Sequence, residues 1–361
     1  MGGVLLAVLV IGAALCGGGA YGAEPSGPRA HLRRGVNITN WFRYPASQDP
    51  VALAGYLRDA AMADLRRAGF DFVRLAIDPD LPGLVPAEVA AIQRLERARL
   101  SVIVSPHARD WHLEVDSAPL LRFWRTMAPK LRGLDPDRTV PEVLNEPVFP
   151  HDPAAWAALQ HQALAVIRGA LPEMTVVLTG QDWGSVGGLL ASVTDVDRNV
   201  IYSFHFYDPA ELTSLAAWQP AADPAAFARL PFPVGDADAC RTMGDAVDGS
   251  ESARMIDWYC RQHWDAGRVA EPISRAAAWA RQHGVKLLAG EFGASMRLNR
   301  AARLAWISAA RAAFGAEGIG WALWGYDDSM GFGVSRPPPA KPVLDAGILA
   351  ALNMTNMTTE K

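Results

Sequence analysis

Two short apolar segments of this chain each end in a glutamate. Segment 140–144 runs into Asn145-Glu146-Pro147, and segment 287–290 runs into Glu291. Apolar runs of this length that end at proline or glycine are typical of buried strands. Two carboxylates at the carboxyl ends of such strands can cleave a glycosidic bond, one as acid and one as nucleophile. A single glutamate is more often a solvated surface charge, so the hypothesis depends on what lies at the other strand ends.

Other strand-like segments also carry side chains that are costly to bury without a partner. Arg74 lies inside FVRLAI, and His107 follows SVIVSP. His205 and Tyr207 are two residues apart in FHFY and therefore share one face, and Trp324 ends GWALW. Taken singly, the arginine could form a structural ion pair, and the histidines and the tryptophan could be ordinary core residues. Taken together they favour one shared site, in which Arg74 keeps a nearby carboxylate ionised.

The elements that would position these residues alternate between strand and helix. Eight strand-like segments are separated by helical patterns, and several of the strands are continuously apolar, as expected for parallel strands buried on both faces. They are 34–40, 70–77, 100–106, 139–145, 175–180, 199–207, 285–291 and 318–326. A doubly wound open sheet would show a glycine-rich turn after its first strand, and none is present. The pattern predicts an α/β fold, a single (β/α)8 TIM barrel over about 30–355.

One segment interrupts the alternation. Residues 208–267 form a long insertion after the sixth strand and carry Cys240, Cys260 and several aromatic residues. In a barrel this insertion would lie on the carboxyl face, where active sites are built, and could form one wall of a cleft. The alternative is a subdomain that only packs against the barrel.

The first residues are typical of an export signal. Residues 4–15 are continuously apolar and small residues follow, which predicts a signal peptide over about 1–23. Its removal leaves two cysteines, and in an exported protein these favour a disulfide between Cys240 and Cys260 over two free thiols. We therefore expect a secreted or periplasmic protein that has no membrane contact after processing. A net charge of −4 gives no indication of a nucleic-acid partner.

The residues at the strand ends resemble those of glycoside hydrolase family 5, cellulase-type barrels in which two catalytic glutamates end strands four and seven. The resemblance covers about 34–324. It is carried by eight residues that follow the family's order: Arg74, His107, Asn145, Glu146, His205, Tyr207, Glu291 and Trp324. An isolated Asn-Glu-Pro sequence would be weak evidence for this resemblance, whereas the whole set of residues at barrel spacing is specific evidence. The long insertion and the exit of the first strand, 40–43, depart from the family's pattern.

The resemblance implies a retaining mechanism. Glu146 would be the acid/base and Glu291 the nucleophile. Asn145 would bind the sugar 2-hydroxyl, and Arg74 and Tyr207 would orient Glu291. His107 and His205 would line the site of the cleaved sugar, against which Trp324 would stack. For the acid role we expect the pKa of Glu146 to be raised by its apolar strand and by the neighbouring Glu291.

We therefore expect a hydrolase of β-linked glucan, an endo-β-1,4-glucanase acting on a polysaccharide or oligosaccharide, monomeric and without a metal or other cofactor. β-Mannan and β-1,3- or β-1,6-glucans are alternative substrates. A sugar-binding barrel without catalysis is the alternative from another class, and the presence of both glutamates argues against it. A metal-dependent barrel hydrolase would need a His-x-His pair after the first strand, where this chain has Asn37-Ile38-Thr39.

Overall fold

The computed structural model describes residues 30–109, 117–244, 247–328 and 344–354. Its eight strands are β1 (Arg34–Phe42), β2 (Phe72–Ile77), β3 (Ser101–Pro106), β4 (Thr139–Pro141), β5 (Val176–Thr179), β6 (Val200–Phe206), β7 (Lys286–Phe292) and β8 (Gly320–Leu323). They form one parallel sheet in the order β4-β3-β2-β1-β8-β7-β6-β5. A parallel bridge between Glu142 and Val177 joins the two ends of the sheet. The predicted (β/α)8 barrel is confirmed.

The strands are buried on both faces, which explains their continuous apolar sequences. Every residue of β2, β3 and β6 is buried, because helices cover the outer face and side chains fill the interior. A small apolar cluster separate from the main core comes largely from the strands and includes Phe72, Ile103 and Val140. Arg74 follows Phe72 by two residues on the same face, so the polar side chains lie on the carboxyl side of this apolar layer.

Helices follow the strands around the barrel. They are α1 (Pro50–Tyr56), α2 (Asp59–Ala68), α3 (Val85–Arg97), α4 (Ala118–Leu131), α5 (Pro153–Ala170), α6 (Val186–Leu190), α7 (Ala210–Thr213), α8 (Pro224–Phe227), α9 (Ala237–Met243), α10 (Glu251–Arg261), α11 (Ala266–His283), α12 (Arg300–Ala316) and α13 (Ala346–Ala351). Side-chain caps start many of them; the Asp152 carboxylate, for example, accepts the Ala155 N–H at the start of α5. Leu57 and Arg58 are extended, and they separate α1 from α2.

The insertion after β6 is a group of short helices rather than an open loop. It contains α7 to α10, and Cys240 on α9 forms the predicted disulfide with Cys260 on α10. The Tyr259 ring is buried, and its hydroxyl donates to the carbonyl of Pro231. Trp218 and Trp258, by contrast, are 53% and 47% exposed. The buried residues of the insertion belong to the main core of the barrel, and the insertion presents aromatic rings at its surface.

Two strands are shorter than the sequence pattern indicates. β4 ends at Pro141 and β8 at Leu323, although the apolar runs continue to 144 and 324. The chain beyond β4 stays bonded to its neighbours, with the Glu142 N–H donating to Val104 O and the Asn145 N–H to Pro106 O, both at 3.0 Å. The proposed catalytic segment thus lies just beyond the ladder, at the barrel mouth.

The predicted signal peptide lies outside the described residues, as does the predicted carboxyl-terminal boundary of the barrel at 355. Within the described part of the chain, no helix has the length and apolar content needed to cross a bilayer.

Candidate active site

Arg74 is the centre of a hydrogen-bond network across the barrel mouth. Its side chain is fully buried and forms ion pairs with Glu142 (Nε to Oε2, 2.7 Å) and Glu291 (Nη1 to Oε1, 2.5 Å). It also donates to Asn37 Oδ1 at 3.0 Å and to Asn145 Oδ1 at 2.8 Å. Burial would lower the pKa of Arg74, but the two carboxylates outweigh it and raise that pKa. The guanidinium therefore stays charged and holds its partners in place.

Glu291 lies on β7 and is held from two sides. Its Oε1 accepts from Arg74, and its Oε2 accepts from the Tyr207 hydroxyl at 3.0 Å. The side chain is only 5% exposed. Burial and the neighbouring carboxylate charges raise the pKa of Tyr207 well above its usual value, so its hydroxyl stays protonated and can donate. An oriented carboxylate with a fixed positive charge beside it is suited to act as a nucleophile.

Glu146 follows β4 in the left-handed backbone region, with φ of 44°. This conformation is rare outside glycine and is found most often at functional sites. The side chain is 26% exposed, and its Oε1 lies 2.9 Å from His205 Nδ1. One oxygen each of Glu146 and Glu291 and one ring nitrogen of His205 all lie within 4.8 Å of one another. The two carboxylates predicted to work together are therefore neighbours.

The expectation of a raised pKa for Glu146 is wrong. Burial does raise the pKa, but the hydrogen bond and charge of His205, together with nearby arginine charges, lower it below its usual value. In the same way burial lowers the pKa of His205, and the charges of Glu291 and Glu146 raise it. The 2.9 Å contact between Glu146 and His205 allows the two groups to share a proton, so their titrations are linked.

His107 and Trp324 pack against each other at the barrel mouth. Their rings are stacked with centroids 5.9 Å apart and an angle of 27° between the planes. His107 lies just beyond β3 and is 2% exposed; Trp324 lies just beyond β8 and is 3% exposed. Asn145 is also buried at the mouth, with its side-chain oxygen on Arg74. The structure thus brings all eight predicted site residues to one end of the barrel.

Three residues at this mouth were missed by the sequence reasoning. Glu142 is a fully buried carboxylate inside the apolar run 140–144, and a charge there should have been matched with Arg74. Asn37 lies on β1, and its Nδ2 donates to Gly290 O at 3.1 Å, next to Glu291. Trp183 is 51% exposed, and its backbone N–H donates to Pro147 O at 3.2 Å, next to Glu146 in sequence. Neither Asn37 nor Trp183 stands out from its neighbours in sequence.

The cluster of Glu146, His205 and Glu291 is also the place where the described residues could hold a metal ion. Two carboxylates and an imidazole are possible ligands for a divalent cation. Glu291, however, is already bonded to Arg74 and Tyr207, and Glu146 is bonded to His205. The arrangement fits proton transfer and nucleophilic attack better than metal ligation.

Solved structures share this fold. Endoglucanase Cel5A from the hyperthermophilic Thermotoga maritima is similar at a TM-score of 0.70 and 21% identity, over 89% of this chain and 97% of that chain. The clostridial cellulose synthase subunit Z from Clostridioides difficile is similar at a TM-score of 0.69 and 20% identity, over 89% of this chain and 99% of that one.

Sequence comparison identifies the family to which the chain belongs. Endoglucanase H from Acetivibrio thermocellus is 26% identical over 195 residues, 50% of this chain, and the chain spans 21% of that relative's length. A family model described as cellulase (glycosyl hydrolase family 5) matches residues 34–328, which include all eight site residues. This chain therefore belongs to glycosyl hydrolase family 5, the cellulase family.

Proposed function

We propose that this protein is a retaining glycoside hydrolase, an endo-β-1,4-glucanase in which Glu146 is the acid/base and Glu291 the nucleophile. One observation carries the proposal: an oxygen of Glu146 and an oxygen of Glu291 lie within 4.8 Å of each other. Retaining enzymes hold their two carboxyl groups about 5–5.5 Å apart, whereas inverting enzymes need about 6.5–9.5 Å to admit a water molecule. The short separation favours attack by the enzyme's own carboxylate.

In the first step Glu291 attacks the anomeric carbon while the glycosidic bond breaks. Arg74 and Tyr207 each hold one of its two oxygens. The carboxylate therefore rotates little and meets the anomeric carbon from a defined direction. The leaving oxygen takes a proton from Glu146. His205 Nδ1 lies 2.9 Å from Glu146 Oε1 and is placed to exchange a proton with it.

The second step uses the same groups in reverse. Once Glu291 is bound to the sugar it is no longer charged, and His205 loses the nearby negative charge that raised its pKa. Glu146, now a carboxylate, removes a proton from water, and the resulting hydroxide displaces Glu291 from the anomeric carbon. This restores the free nucleophile and returns one proton to the Glu146–His205 pair, so protons balance over the cycle.

The substrate class is proposed from the family and from similar structures. Structures of Thermotoga maritima Cel5A are described in complex with cellobiose and with mannotriose. We propose β-1,4-glucan as the main substrate of this chain and β-mannan as its first alternative. We further propose that the insertion with Trp218 and Trp258 borders the cleft, that the enzyme acts as an exported monomer, and that it needs no cofactor.

Reducing-sugar release from a panel of polymers tests the proposal. The panel contains carboxymethylcellulose, mixed-linkage glucan, mannan, xylan and β-1,3-glucan. Glu291→Gln should abolish release, and Glu317→Gln, which changes a partly exposed carboxylate paired with Arg281 and distant from the mouth in sequence, should leave it unchanged. Equal release by wild type and Glu291→Gln would contradict the mechanism. No release from any polymer by folded wild-type protein would contradict the activity.

A further inference from the structure

Arg43 is a cation at the barrel mouth that the proposed mechanism does not use. It follows β1 directly, in the segment where the sequence departs from the family's pattern. The backbone N–H groups of Arg43 and Tyr44 both donate to the carbonyl of Thr39, at 3.1 and 3.3 Å. This turn fixes the direction in which the half-buried Arg43 side chain leaves the strand.

The guanidinium of Arg43 packs on two aromatic rings at the barrel mouth. Its Cζ lies 4.8 Å from the centroid of the Tyr44 ring and 5.9 Å from that of Trp324. Trp324 is in turn stacked on His107. An aromatic ring that packs on a guanidinium in this way supplies no hydrogen-bond acceptor for its N–H donors. The donors remain available to a ligand beside Trp324.

Arg74 and Arg109, two other arginines at this end of the barrel, are neutralised by carboxylates, whereas Arg43 is not. Arg74 pairs with two glutamates, and Arg109, just beyond β3, pairs with Asp78 at 2.7 Å. Among the described residues, none accepts a hydrogen bond from the Arg43 side chain or forms an ion pair with it. Its charge nevertheless affects Glu146. Burial raises the pKa of Glu146, and Arg43 is one of the cations that lower it.

A substrate bound against Trp324 would cover Arg43 and remove water from it. Covering an unpaired cation is costly unless the ligand supplies an acceptor, and a charged acceptor compensates far better than a neutral hydroxyl. A planar guanidinium whose position is fixed by two rings matches the geometry of a carboxylate. The arrangement is therefore better suited to an acidic sugar than to an unsubstituted glucan.

We propose that Arg43 is a specificity-determining residue that binds a carboxylate on the β-glycan, carried by the sugar on Trp324 or by the adjacent sugar. This inference rests on the proposed function and narrows its substrate to acidic or carboxyl-substituted β-glycans.

Two polymers with the same backbone test the inference: carboxymethylcellulose, which is anionic, and hydroxyethylcellulose, which is neutral. The measured quantity is the ratio of kcat/KM on the two, for wild type, Arg43→Gln, Arg43→Lys and the control Arg138→Gln. Arg138 precedes β4 and so lies at the opposite end of the barrel, where it pairs with Asp135. Any effect of Arg43 on Glu146 alters both rates equally and cancels in the ratio.

We expect Arg43→Gln to lower the ratio about tenfold or more, the effect of losing one hydrogen-bonded ion pair. Arg43→Lys keeps the charge but loses the planar donors, so its ratio should fall less than that of Arg43→Gln. Arg138→Gln should keep the wild-type ratio, and raising the salt concentration should lower the wild-type ratio. Equal losses on both polymers, no loss on either, or a loss in Arg43→Lys as large as in Arg43→Gln would overturn the inference. Activity of wild type on neither polymer would instead contradict the proposed function.

Discussion

Glu142→Gln tests whether the buried ion-pair network is what holds the nucleophile. Glu142 and Arg74 are both fully buried and share two hydrogen bonds, from Nε at 2.7 Å and from Nη2 at 2.9 Å. Thr179 Oγ1 also donates to Glu142, at 3.2 Å. Glutamine keeps the shape but offers one acceptor oxygen. Because Arg74 donates to both oxygens of Glu142, the amide N–H group of glutamine would face an Arg74 donor in either orientation.

The expected loss of stability follows from these contacts. Hydrogen bonds to charged groups each contribute about 1.5–3 kcal/mol, and breaking a buried ion pair costs about 3–5 kcal/mol. Arg74 keeps its pair with Glu291, and the repulsion between the two glutamates disappears, so we expect a loss of about 2–4 kcal/mol. For a chain of this size that lowers Tm by roughly 3–5 °C.

Activity should fall as well, because Arg74 loses the partner that fixes its orientation toward Glu291. We expect kcat to decrease about tenfold or more with a smaller change in KM, since the lost interaction acts on the transition state. Urea unfolding and initial-rate kinetics measure the two effects. The matched control is Glu251→Gln, a surface carboxylate paired with Arg254, which should change the free energy of unfolding by less than about 0.5 kcal/mol. A Glu142→Gln protein as stable and as active as the control would refute this reasoning.

Three further changes have defined outcomes. Burial and the charge of Asp78 raise the pKa of Glu88 to about 8, above the unfolded value of about 4.3, so its stabilisation is complete below pH 4 and is lost as the pH rises through 8. Urea unfolding of Glu88→Gln should therefore show greater stability than wild type at pH 9 but not at pH 4, and parallel pH curves would contradict this. Tyr207→Phe removes the 3.0 Å hydrogen bond to Glu291 and should lower kcat about tenfold at nearly constant KM; an unchanged kcat would show that the bond does not position the nucleophile. Replacing Cys240 and Cys260 by serine opens a loop with a sequence separation of 20 and should cost about 3 kcal/mol in the free energy of unfolding; an unchanged Tm would contradict a stabilising role.

Much of the architecture could be predicted because buried parallel strands have a direct sequence signature. Continuous apolar runs separated by helical patterns identified all eight strands, and polar residues at their ends marked the functional face of the barrel. Element boundaries were less accurate. The break between α1 and α2 depends on the extended backbone of Leu57 and Arg58, which no proline or glycine marks.

The residues of the site were predicted from the sequence, but the contacts between them were not. Glu142 was read as part of an apolar strand, because its partner Arg74 is distant in sequence and only barrel closure brings the two together. The pKa of Glu146 was expected to rise because its local sequence is apolar. Its direction is set instead by His205, whose ring lies against it only in the folded barrel.

The central claim is that Glu146 and Glu291 act together in a double displacement, and the anomeric configuration of the first product tests it most directly. Proton NMR of a cello-oligosaccharide digest, recorded before mutarotation, distinguishes the two anomers. The carboxylate separation of at most 4.8 Å predicts that the β-anomer forms first. Initial formation of the α-anomer would show that water attacks the sugar directly and would contradict the proposed role of Glu291.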